Sequence, residues 1–259
     1  MIRTTRKYWL PAILICISSQ PLFAQADVCE SGLAEAFLDA NNVRARILNT
    51  GGLFWRGTPY VYEVPKYSNA QAIFASSVWI AGMINNELHA SASRYGPWEF
   101  WPGPLDEKGN TLPDCGRQDE IFEVYLRDII EYDEKGIISE NLRKWPWQLG
   151  APVIDGDGNP DNYDLSAGDR PEIMGHQTLW WVMNDKGGPH ATTESEAIGL
   201  EVQVTAFAAA SSNAHINNAT LYKYKLIYKG NAALEDAYFS IFQDVDLGIF
   251  KGRTRTYKK

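Results

Sequence analysis

The chain has 259 residues, a formal net charge of −8 and 45% hydrophobic residues, which is enough to bury a sizeable core. Arg3, Arg6 and Lys7 are the only charges in the first 26 residues, so the remainder carries −11; residues 27–250 carry −16 once the five basic residues of 251–259 are set aside. Such acidity repels phosphate backbones and anionic lipid and attracts cations, which argues against nucleic-acid and membrane-surface partners.

Residues 1–26 read as a cleaved signal peptide. The basic start leads into an apolar stretch from Leu10 to Phe23, and Ala24-Gln25-Ala26 supplies the small-x-small cleavage pattern. Pro11, Ser18, Ser19, Gln20 and Pro21 interrupt that stretch, so it is too short to span a bilayer and no membrane insertion is expected. The expected destination is secreted or cell surface, with the export machinery as a partner. Two cysteines survive cleavage, Cys29 and Cys115, and an oxidising compartment predicts a bridge between them.

From Glu30 to Ala40 the pattern is weakly helical. Val43 to Leu48 alternates, and Gly51-Gly52 breaks it before the short strands Leu53–Trp55 and Tyr60–Val64. Ala72 to Ile84 is apolar enough for a strand buried on both faces. Asn85-Asn86 turns it into a return arm, Glu87 to Ala92. Gln118 to Tyr132 is the best helix candidate, with Ile121, Val124, Tyr125, Ile129 and Tyr132 on one stripe and Gly136 as its stop. A second short helix is predicted from Ser139 to Lys144, with Ser139 as cap. Leu200–Ala208, Leu221–Lys229 and Ala237–Leu247 alternate with period two, which predicts antiparallel strands with one wet face. The expected fold is mainly β, an antiparallel β-sandwich spanning residues 27–250 with a helical insertion at about residues 118–144. Residues 251–259 form an atypical basic tail after a strong strand, and the chain reads as truncated there.

Three groups of residues are candidates for chemistry. In the stretch from Ala151 to Asp185, Asp155, Asp157, Asn159 and Asp161 fall at alternate positions, with Asp164 and Asp169 available to complete an oxygen shell. Calcium, in a structural role, is the expected cofactor. The loop departs from the EF-hand, because Pro160 holds the sixth position and Ser166 the twelfth. Its composition equally describes a solvated turn. Asp244 and Asp246 share one face of a strand and form a second metal candidate, or else a strand end meeting solvent. Trp98, Trp101, Trp145 and Trp147 are the third group, an alternative platform for stacking a glycan or other surface ligand; buried loop anchors are the plainer reading. His176 and His190 match no standard zinc spacing. No nucleophile elbow, phosphate loop or CxxC pair is present.

Several segments together resemble one family: Asn42-Val43-Arg44-Ala45, Tyr62-Glu63-Val64-Pro65, Phe100-Trp101-Pro102-Gly103-Pro104-Leu105, Leu179-Trp180-Trp181-Val182-Met183-Asn184-Asp185, Gly199-Leu200-Glu201-Val202-Gln203 and Asp244-Val245-Asp246-Leu247-Gly248. They look like the N-terminal region of large secreted Bacteroidota proteins that end in a type IX secretion sorting domain. That resemblance implies a structural, non-catalytic module of a larger extracellular protein. Ile249 to Lys259 departs from the family's pattern, and no sorting domain occurs in this sequence. The alternative expectation is a secreted carbohydrate-binding or carbohydrate-active protein using tryptophan stacking with Asp244 and Asp246.

Overall fold

The computed structural model describes Cys29 and residues 32–113 and 115–249. The expected signal peptide and basic tail therefore lie outside the described residues, as does the Cys115 side chain. The architecture is mainly β, with antiparallel sheets stacked as a sandwich and a small helical insertion on one of them.

The chain first lays down β1 (Glu35–Leu38), β2 (Arg44–Leu48), β3 (Gly52–Leu53), β4 (Tyr62–Glu63), β5 (Ala70–Ile84) and β6 (Glu87–Ser91), all in one sheet. It crosses to a second sheet through β7 (Trp101–Pro102) and β8 (Phe122–Tyr125), which leads into α1 (Leu126–Lys135) and α2 (Glu140–Arg143). A two-stranded ladder, β9 (Val153–Ile154) with β10 (Arg170–Pro171), precedes β11 (Gln177–Asn184) and β12 (Leu200–Ala208). After α3 (Ala214–Asn217) come β13 (Leu221–Tyr228), at the edge of the second sheet, and β14 (Glu235–Ile249), which returns to the first. The orders are β1-β2-β3-β5-β14 and β13-β12-β11-β7, with β8 also on β11.

The β5–β6 hairpin turns where expected. Asn85 and Asn86 both adopt positive φ, 54° and 64°, the left-handed pair that a two-residue turn matching strand twist requires.

Alternation on the strands builds the core. Ala45, Ile47, Val78 and Ile80 of the first sheet meet Leu179, Trp181, Met183, Val202 and Val204 of the second. The opposite face of β11 carries Trp180 and Val182, which pack under the insertion against Val124, Ile129, Leu142 and Trp145. All eight residues of β11 are therefore buried.

Three expectations are corrected here. The segment read as weakly helical instead supplies β1, because pairing with β2 (Phe37 opposite Arg46) satisfies its backbone and tertiary contact outweighs weak propensity. The predicted helix over Gln118–Tyr132 begins only at Leu126. Its first part is β8, drawn onto β11 with Glu123 opposite Leu179, and the helix ends at Gly136, φ 66°, as its glycine stop predicts. Ser139 caps α2 by accepting from the Leu142 N–H, again as expected. The polar face of β12 is not wet: Glu201 accepts from the Leu105 N–H and from Lys229, and Gln203 donates to the Leu149 carbonyl, so loops cover that face.

The two sheets are joined by buried polar groups. Gln177 donates to the Phe37 carbonyl and accepts from the Asp39 and Ala40 N–H groups. Asp185, wholly buried after β11, accepts from the N–H groups of Ile198 (2.6 Å), Gly199 (3.0 Å) and Leu200 (2.7 Å) and from the Ser91 hydroxyl (3.1 Å) on β6. Burial pushes its carboxyl above the ordinary range, opposed by the N–H bonds from Leu200 and Ile198. Asp185→Ala leaves those donors without an acceptor, so urea unfolding is expected to show a loss of about 3–5 kcal/mol, and a loss below about 1 kcal/mol would mean that water replaces the carboxylate.

Candidate functional site

Two places gather side chains with chemical potential, and both use acids legible in the sequence. The first is the loop of residues 155–169, closed at its base by β9 and β10 through the Ile154–Arg170 pair. Asp155 accepts from the N–H groups of Asp157, Gly158 and Asn159. Asp157 accepts from the Asn159 N–H and the Asn162 amide. Asp169, buried beneath the loop, accepts from the N–H groups of Gly156 (2.8 Å) and Asp164 (2.6 Å). Gly156 lies so close to Gly168 that an added Cβ would stand 2.4 Å from its carbonyl carbon, so the loop needs glycine there.

One carboxylate oxygen from each of Asp155, Asp157 and Asp169 lies within 4.8 Å of the other two. Beside them the buried Oδ1 of Asn162 has no hydrogen-bond partner. Three carboxylates this close together could hold a metal ion. Asp161 and Asp164, also expected as ligands, are not in that group; Asp164 accepts from Ser166, and Asn159, a further expected ligand, accepts from the Asp161 N–H.

The second place is the outer face of the first sheet. The register pairs Asp244 with Ala75 and Val245 with Ile73, so the ladder skips Phe74. This bulge turns the Phe74 ring onto the outer face, 5.7 Å from Tyr95, 6.3 Å from Trp55 and 4.5 Å from Tyr60. Phe242, stacked on Trp79 at 5.4 Å, continues the aromatic floor. Trp55, Phe74, Tyr95, Asp244 and Asp246 line a cleft of about 490 Å³. The Tyr95 hydroxyl donates to Asp244 at 2.7 Å, and the Tyr60 hydroxyl to Asp246 at 2.9 Å. The bond to Asp244 raises the Tyr95 phenol above its ordinary value, so the tyrosine stays a donor at physiological pH.

Of the four tryptophans expected to form a stacking platform, Trp101 and Trp145 are buried in the fold and offer no face to a ligand. Trp147 is half-buried in the turn after α2. Trp98 alone approaches the cleft, 6.5 Å from Trp55, with its ring laid over Gly52. Trp55, Tyr60, Phe74 and Tyr95 were not singled out in the sequence. His176 and His190 do not form a zinc pair: His176 is exposed, and both ring nitrogens of His190 face carbonyl oxygens, those of Ala90 and Asp185, at 2.7 Å.

No protein-family model matches the chain, and neither does any curated protein or solved structure.

The Asn162 amide, followed by the Asn159 N–H, holds the Asp157 carboxyl below its ordinary value. A depressed carboxylate stabilises the folded loop above its unfolded pKa and loses that contribution as pH falls through the folded value. The Asp157 side chain is therefore expected to titrate in NMR below the value of roughly 3.9 found in peptides, and Asn162→Ala should move the midpoint back up.

Proposed function

We propose that the protein is a non-catalytic, extracellular β-sandwich module that holds a carbohydrate in the cleft of Trp55, Phe74, Tyr95, Asp244 and Asp246. The observation that carries this reading is the pairing of an aromatic floor with carboxylates at one rim. Sugars present C–H faces that pack on aromatic rings and hydroxyls that donate to carboxylates. Tyr95 and Tyr60 fix the two acceptors in place, so little ordering is left for the ligand to drive. A neutral ligand also suits a body whose charge repels anions.

Binding is favoured over hydrolysis by the placement of the acids. Asp244 and Asp246 rise from the same face of one strand, whereas glycoside hydrolysis sets two carboxyl groups on either side of the scissile bond. Titration with soluble oligosaccharides, read by tryptophan fluorescence, is expected to saturate. Trp55→Ala and Asp244→Asn should each weaken binding by roughly tenfold or more while the melting temperature holds. Saturation that is indifferent to both substitutions would place the ligand elsewhere, and no saturation with any glycan would end this reading.

A second proposal concerns the loop of residues 155–169, where the three clustered carboxylates and the unpartnered Asn162 oxygen support a structural calcium ion. Calcium is expected to raise the melting temperature of the exported chain. Asp157→Ala should abolish that rise, and in chelator it should cost only the small stability that its own hydrogen bonds to Asn159 and Asn162 supply. A bridge between Cys29 and Cys115 is proposed on related grounds. The Leu33 and Ala34 N–H groups donate to Asp119, which brings the segment after Cys29 beside the turn that begins at Cys115. Alkylation without reductant should then label neither cysteine.

A further inference from the structure

Strand β14 ends the first sheet, and among the described residues it pairs only with β5. Its ladder with β5 shifts register near Glu235 and again between Val245 and Gly248, and the run from Tyr238 to Val245 offers roughly 25 Å of edge. The other end of that sheet is β1, only four residues long, and the edge strand of the second sheet, β13, is guarded by Lys223 and Lys225. Short strands and lysines are the usual protection of a sheet edge. β14 has neither. Its inward face, the one that shares register with Val78 and Ile80, carries Phe239, Ile241 and Val245, all exposed, while Leu247, 78% exposed, lies in the irregular step between Val245 and Gly248. Asp244 and Asp246 lie on its outward face and leave the apolar row unguarded.

We infer that this edge pairs with β14 of a second copy of the chain, antiparallel about a two-fold axis at Gln243. The residue pattern is self-complementary at that register. Ile241 meets Val245 of the other copy, and by symmetry Val245 meets Ile241, so these apolar side chains find apolar partners on the inward face. On the outward face Asp244 falls opposite Phe242 and Asp246 opposite Ser240, and no carboxylate faces a carboxylate. Moving the axis to Asp244 would set that acid against itself, and moving it to Phe242 would break the Ile241–Val245 pair.

The register makes the test specific. In the exported chain, Gln243→Cys puts two thiols directly opposite each other at roughly 5 Å between Cα atoms, within disulfide range. Ile241→Cys leaves its two copies roughly 14 Å apart, too far to bridge. Oxidation should cross-link the first variant into a reducible dimer and leave the second uncross-linked. Light scattering of the unaltered chain should give the mass of two copies, and Ile241→Lys should weaken association by roughly a hundredfold. The inference is overturned by a single-copy mass or by equal cross-linking of both variants. It is overturned too by a dimer that forms only after residues 250–259 are deleted, which would name the tail as the occupant of the edge.

Discussion

The Asp185 carboxylate is the point on which both sheets depend. It follows the central strand of the second sheet, gathers the three N–H groups that open β12, and reaches the Ser91 hydroxyl on the first sheet. A charge with no exposure is costly unless its lone pairs are satisfied, and here four donors satisfy them. Glu99 does the same nearby, accepting from the N–H groups of Ala92, Thr192 and Thr193. His190 completes the joint between the Ala90 and Asp185 carbonyls. The long connection from β11 to β12 is thus held down by polar groups rather than by secondary structure of its own.

Polar side chains recur at places where period-two reading expects water. Glu201 and Gln203 alternate with apolar neighbours on β12, yet both are buried beneath loops that satisfy them. The outer face of the second sheet is a second interior, filled by Trp180, Val182 and Trp145. Buried and fully bonded polar groups of this kind fix which loop lies over which strand, at the expense of sensitivity to losing any one partner.

Much of the fold was legible in the sequence. The two-residue Asn85-Asn86 turn, the long strands near β5, β12, β13 and β14, the Gly136 stop and the Ser139 cap all follow from local chemistry. β1 and β8 were not legible, because each owes its conformation to a partner strand far away in sequence. The candidate sites divide in the same way. Alternating acids mark Asp155 and Asp157, but Asp169 joins them only because β9 and β10 bring the loop ends together. Asp244 and Asp246 were visible as a same-face pair. Their aromatic neighbours were not, since a bulge at Phe74 and the loop bearing Tyr95 assemble the floor in three dimensions.

The burial of every residue in β11 bears on how the molecule opens. That strand contributes one face to the sandwich core and the other to the core beneath the helices, so neither can loosen without exposing the strand they share. Regions that exchange their amide hydrogens through partial opening are those with few shared contacts. Between these two cores no such boundary exists. The amides of β11 are therefore expected to exchange only when the whole body unfolds, with sandwich and insertion opening together.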